Sequence, residues 1–249
     1  MSEILPRSGS ELMEVDTDVR VLDGAWDFGH GVADAFVSHV RKSVPLYDTG
    51  HFLAAELASC FMLPRGVGYE LGVSTGELIR RLATHNARTA SSRWVGIDCE
   101  AEMIERARRD CAELGNVELV HADVREFEFD SCDFIVDFLT TQFLTRGERA
   151  GLYRRAFESL REGGAMFVYS KTLQADAFLQ DLSGLLYSRF KRFHGLTHEQ
   201  IVSKSESVYG VIKPETRKDA RKLLKSAGFD RVDLVIKYLN FEGLLAVKK

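Results

Sequence analysis

The chain has 249 residues, with 33 Lys plus Arg against 37 Asp plus Glu, a net charge of −4, 45% hydrophobic and 10% aromatic residues. That composition excludes a disordered or fibrous chain and, at roughly 100–200 residues per domain, fits one domain around one sizeable core. No run of about 18 apolar residues occurs and Met1 to Ser10 lacks the basic and apolar regions of a signal peptide, so a soluble, cytoplasmic protein without a membrane partner is expected. The acidic balance argues against direct nucleic-acid binding, which needs clustered positive charge. Cys60, Cys99, Cys111 and Cys132 form no CxxC pair and have no His at ligand spacing, so neither a disulfide framework nor a metal site is indicated.

The first 20 residues are polar and read as a flexible terminus. From 21 to 249 the pattern is that of a single domain, of which 21–65 form a helical cap. Val32, Phe36, Val37 and Val40 recur at helical spacing from Trp26 onward until Pro45, and a second helix over 51–63 is closed by Pro64 and Gly66. Strand and helix then alternate: GYELG, the helix 77–85, RWVGID, a helix over 101–114 stopped by Gly115, VELVHAD, FIVDFL, a helix over 146–160 and AMFVYSK. A helical insert, 175–212, precedes a helix over 215–226 and the closing strands RVDLVIKYL and EGLLAVK. The alternation predicts an α/β fold, a Rossmann-like sheet of seven mostly parallel strands with helices on both faces. The tight link at Asn240 and Phe241 makes the last pair antiparallel, because a parallel connection needs a dozen or more residues.

Such a sheet binds its ligand at the carboxyl ends of the strands. There the sequence places Glu70-Leu71-Gly72-Val73-Ser74-Thr75-Gly76, Gly96-Ile97-Asp98 and Ala122-Asp123-Val124. Glu70 would repel a pyrophosphate and suits a cation, while Gly72 allows a close backbone approach. Asp98 can accept two ribose hydroxyls, and Asp123 can accept an adenine amino group. Each acid alone reads equally as a helix cap. Three in succession point to S-adenosyl-L-methionine.

This set resembles the ligand motifs of the class I S-adenosylmethionine-dependent methyltransferases. Within that superfamily, FGHGVADA (28–35), SVPLY (43–47), AEMIERARR (101–109), TQFL (141–144), FKR (190–192), AGF (227–229) and YLNFEGLLAV (238–247) resemble the carboxy-S-adenosylmethionine synthase family. The resemblance implies that Tyr47, Gly72, Val73, Ser74, Asp98, Cys99, Asp123 and Val124 contact the cofactor, and that the chain forms a homodimer through its insert. Where that family holds a carboxylate with an arginine, this chain reads Ser203-Lys204-Ser205-Glu206. Ser205 then stands at the arginine's place and cannot supply a charged, bidentate contact.

The reading that follows is methyl transfer from S-adenosylmethionine to a small molecule such as an amino or keto acid. The alternatives are a carboxy-S-adenosylmethionine synthase using prephenate for tRNA wobble-uridine modification, direct methylation of tRNA or protein, and a non-catalytic cofactor-binding regulator. Asp137, His194 and His198 are the candidate bases, with Asp137 also a candidate cofactor contact. For Asp137 the other reading is capping of the next helix, and for the two histidines it is a plain surface position. The aromatics Tyr187, Phe190, Phe193 and Tyr209 of the insert read as packing or interface residues ahead of substrate-walling ones.

Overall fold

A computed structural model describes residues 13–16, 19–21, 32–85 and 92–249. Trp26 and residues 28–31 of the FGHGVADA stretch lie outside the described residues. Two short strands, β1 (Met13–Asp16) and β2 (Val19–Val21), pair antiparallel within the segment expected to be flexible. Helices α1 (Val32–Ser43) and α2 (Tyr47–Phe61) follow. The second begins four residues earlier than the sequence pattern suggests, because Leu46 takes a left-handed turn (φ 55°) directly after Pro45 and sets Tyr47 at the helix start.

The principal sheet has the order β5-β4-β3-β6-β7-β10-β9. Its parallel part comprises β3 (Val67–Leu71), β4 (Arg93–Asp98), β5 (Val117–His121), β6 (Cys132–Phe138) and β7 (Leu160–Leu173). The crossover helices are α3 (Glu77–His85), α4 (Ala101–Asp110) and α5 (Arg146–Ser159). After β5 the chain returns to the far side of β3, so the switch point lies between β3 and β6. The insert resolves into α6 (Ala177–Phe193) and α7 (His198–Ser207). Next, β8 (Glu215–Thr216) extends the end of β7 in parallel, and Thr216 caps α8 (Arg217–Ala227). The last strands, β9 (Arg231–Tyr238) and β10 (Phe241–Val247), form the expected hairpin, with β10 antiparallel to both β7 and β9.

Alternation along the strands divides the core into two layers. Phe134, Val136, Phe167 and Tyr169 face the side covered by α2 and α3, together with Trp94. Ile135, Met166 and Val168 face the other side with Leu152, Leu224 and Phe229. Both layers are filled, so the polar ends of the strands are the natural place for a ligand.

Candidate functional site

The end of β3 turns sharply. Gly72 (φ 68°) lies so close to Thr140 that a Cβ there would stand 2.2 Å from Thr140 Oγ1, which itself donates to the Leu71 carbonyl at 2.7 Å. The turn continues through Ser74 (φ 51°), whose amide donates to Asp98 Oδ2 at 2.8 Å. Glu100 N reaches Asp98 Oδ1 at 3.0 Å, so two backbone amides fix this carboxylate at the end of β4. Burial raises the pKa of Asp98, and those amides oppose the rise. Glu70 is buried beside it, and its Oε2 has no hydrogen-bond partner. Burial, reinforced by the Asp98 charge, holds the Glu70 carboxyl well above the usual range. A buried, unpaired carboxyl oxygen is costly unless something supplies a donor or a positive charge. Past the end of β5, Asp123 accepts from the Arg125 guanidinium (Nε–Oδ2 2.8 Å), which holds its pKa low. Cys99 is exposed, and desolvation with the neighbouring acids pushes its thiol up to about 11, so it is a wall and not a nucleophile.

These residues line a cavity of about 680 Å³, within the ~300–1,000 Å³ range of ligand pockets. Of the residues expected to contact the cofactor, Tyr47, Glu70, Gly72, Val73, Ser74, Asp98, Cys99, Asp123 and Val124 line it and Asp137 does not. The cavity is polarised. Its carboxylates, Glu70, Glu77, Asp98, Glu100 and Asp123, come from β3 to β5 and the helices that follow them. Its lysines, Lys171, Lys191 and Lys204, come from β7, α6 and α7. Between them runs a series of rings: Tyr47 to His51 (4.1 Å between centroids), His51 to Phe138 (4.7 Å), Phe138 to Tyr169 (4.6 Å), Tyr169 to Phe241 (6.3 Å) and Phe241 to Tyr187 (5.3 Å). Burial pushes the His51 imidazole down to about 3, so it is neutral at any ordinary pH.

The three candidate bases do not line this cavity. Asp137 is buried, and its carboxylate accepts from Thr140 N (3.2 Å), Thr141 N (3.0 Å), Thr141 Oγ1 and Tyr153 OH (3.1 Å). Its acceptors are committed to the turn after β6, which is the capping arrangement. His194 is exposed, with Nδ1 2.8 Å from the Phe190 carbonyl, and His198 is exposed at the first position of α7. The sequence reading missed the lysines and the lining imidazoles His39 and His51. Lys171 was within reach of it, since it closes the fifth predicted strand as the acids close the first three. Ser205 also lines the cavity, but its hydroxyl donates to the Ile201 carbonyl at 2.7 Å and is spent on its own helix.

The sheet order, the glycine turn and the strand-end acids define a class I S-adenosylmethionine-dependent methyltransferase fold. Residues 69–164 match the methyltransferase domain family. Human N-acetylserotonin methyltransferase, solved in complex with S-adenosylmethionine, superposes with a TM-score of 0.57 at 17% identity, covering 91% of this chain and 63% of that one. A cyclopropane synthase from Mycobacterium tuberculosis gives 0.55 at 16% identity, covering 74% and 62%. A carboxy-S-adenosyl-L-methionine synthase of Staphylococcus epidermidis is 32% identical over 224 residues, covering 90% of this chain and 97% of the relative. Its counterpart in Wolinella succinogenes is 30% identical, covering 90% and 93%. The chain belongs to this synthase family within the methyltransferase superfamily and is an enzyme whose cofactor is S-adenosyl-L-methionine. Among the described residues no helix is long and apolar enough to cross a membrane.

Proposed function

We propose that this enzyme transfers the methyl group of S-adenosylmethionine to a carboxylate-bearing small molecule, an amino or keto acid, in the cytoplasm. The polarity of the cavity carries this reading: acids line the end where a cationic cofactor fits, and lysines line the end left for an acceptor. Glu70, with its unpartnered oxygen, and Asp98, fixed by two amides, suit the cofactor's ammonium and ribose. Gly72, Val73, Ser74, Cys99, Asp123, Val124 and Tyr47 complete the cradle. The cofactor supplies an electrophilic methyl group on a sulfonium. The chain's own work is to align the acceptor and exclude water, which the series of rings favours. No imidazole or carboxylate offered as a base from the sequence faces the cavity, so the reading assigns Asp137, His194 and His198 no proton transfer. Phe178, Leu182 and Leu185 are exposed on one face of α6 and suit the interface of a homodimer.

A second reading, carboxy-S-adenosylmethionine synthesis, is favoured by the full-length similarity to proteins of that name. The neutral, helix-bonded Ser205 argues against it. Incubation with S-adenosylmethionine and prephenate, followed by mass spectrometry, separates the two. No carboxylated cofactor is expected, and its appearance would replace the first reading with the second. Calorimetric titration should show that Asp98→Ala weakens cofactor binding by about tenfold or more, the scale of one charged hydrogen bond. Unchanged affinity sinks the cradle assignment.

A further inference from the structure

The lysine end of the cavity has an arrangement of its own. Lys171 Nζ stands 5.3 Å and Lys191 Nζ 4.5 Å from the centroid of the Tyr187 ring, so two ammonium groups approach one aromatic side chain. The Tyr187 hydroxyl donates to the Ser43 carbonyl at 2.7 Å, which fixes the ring between α6 and the end of α1. Lys171 is fixed through its backbone amide, which donates to Gln142 Oε1 at 3.1 Å. Lys191 is only 4% exposed. Among the described residues, neither ammonium has a carboxylate within ion-pair distance. Lys204 differs, because its Nζ sits against His39 Nε2 and donates to Ser43 Oγ at 3.1 Å.

Two like charges beside each other, one of them buried, are unfavourable without an anion. An aromatic face offsets part of that cost. It does not neutralise charge, and it leaves the ammonium N–H donors without acceptors. We infer that Lys171 and Lys191, set against the Tyr187 ring, form an anion subsite that binds a carboxylate of the small-molecule substrate. This rests on the reading of the cavity as an acceptor site and adds which groups select the substrate. Burial, and then the Lys171 charge, pushes the Lys191 ammonium down to about 8, the behaviour of a cation lacking its counter-ion. Burial lowers Lys171 in the same direction. A substrate whose acid is esterified or amidated would leave both ammoniums unpaired and is discriminated against.

The test is calorimetric titration of wild-type enzyme saturated with S-adenosylhomocysteine, at pH 7, with benzoate, pyruvate, malonate and sulfate, and with benzamide as the neutral control. At least one anion is expected to bind and benzamide is not. Lys171→Met and Lys191→Met should each weaken that anion about tenfold or more, while Lys191→Arg retains most of the affinity. Affinity for S-adenosylhomocysteine should stay within about twofold throughout, which also reports that each variant is folded. A measurement on the wild-type enzyme alone avoids any folding defect: acetylation of Lys191 by acetic anhydride, read by peptide mass, should slow severalfold with the bound anion. The inference is overturned if no anion of the set binds, if binding survives both methionine variants, or if Lys191 acetylation is unaffected. Failure of the cofactor reading looks different, since the wild-type enzyme would then fail to bind S-adenosylhomocysteine at all.

Discussion

At the scale of single residues, the site depends on positions where the backbone leaves no room for a side chain. Gly72 combines a positive φ with the Thr140 side chain packed where its Cβ would be, and Thr140 cannot retreat without giving up its bond to the Leu71 carbonyl. Gly72→Ala therefore adds left-handed strain of about 1–2 kcal/mol to a lost hydrogen bond worth about 1 kcal/mol. A loss of about 2–3 kcal/mol in urea unfolding is expected, with cofactor affinity falling because the Ser74 amide and Asp98 move with the turn. A loss below about 1 kcal/mol would show that the turn opens freely. Glu70, Asp98 and Asp123 were legible in the sequence because each lies at or just past the end of a short strand-like run that a turn or helix follows. Lys191 was not, since it stands in a helix among Phe190, Arg192 and Phe193, where nothing in the sequence says that a basic residue points inward. Asp137 illustrates the converse: its strand-end place was legible and the local bonds from Thr140 and Thr141 match its capping reading, but the bond from Tyr153 depends on packing that only the folded chain brings about.

At the scale of elements, helix starts carry much of the positioning. Thr145 opens α5 with a capping box: its hydroxyl accepts from Glu148 N at 3.3 Å, and Glu148 Oε2 accepts from Thr145 N at 2.7 Å. The same Glu148 meets Arg125 Nη1 at 3.2 Å, and Arg125 grips Asp123, so the cap is linked to the acid-lined end of the cavity. Thr145→Ala should cost about 1 kcal/mol in urea unfolding, the usual value of an N-cap. Cofactor affinity should fall by no more than about twofold, because Arg125 keeps its contacts to Asp123 without Thr145. A tenfold fall would mean that the cap sets the Asp123 geometry. The helices 77–85 and 146–160 were placed by sequence almost to the residue. The strand AMFVYSK was placed too short: β7 starts at Leu160, ahead of Gly163 and Gly164, with an irregular register against β6 between Cys132 and Phe134. Paired glycines read as a stop, whereas here they let a bulged strand continue.

At the scale of the whole molecule, sheet order turns scattered charges into a polarised cavity. The chain visits β3, β4 and β5 before crossing to β6 and β7, so acids and lysines far apart in sequence end on opposite sides of β6. β7 lies two strand spacings, roughly 10 Å, from β3. The same burial leaves groups with opposed pH preferences. Glu70 and Asp137 have raised folded-state pKa values, so the stability linked to them is present at low pH and lost as pH rises through those values. His51 behaves in the other direction. Burial lowers its pKa from 6.5 to about 3, opposed by Asp48 and assisted by Arg81 and Arg41. The unfolded chain therefore binds a proton below pH ~6.5 that the folded chain refuses until pH ~3, so stability falls as pH drops through that window. Between pH 8 and pH 5 this one group should remove about 2 kcal/mol. His51→Gln abolishes that titration and leaves Glu70 and Asp137 in place, so their contributions cancel in the difference between the two proteins. Urea unfolding of both at pH 8 and pH 5 is the measurement. The stability of the wild-type enzyme relative to His51→Gln should decline by about 2 kcal/mol on going to pH 5. A difference that stays constant would mean that His51 takes up its proton in the folded state, with water or a carboxylate reaching it from the cavity.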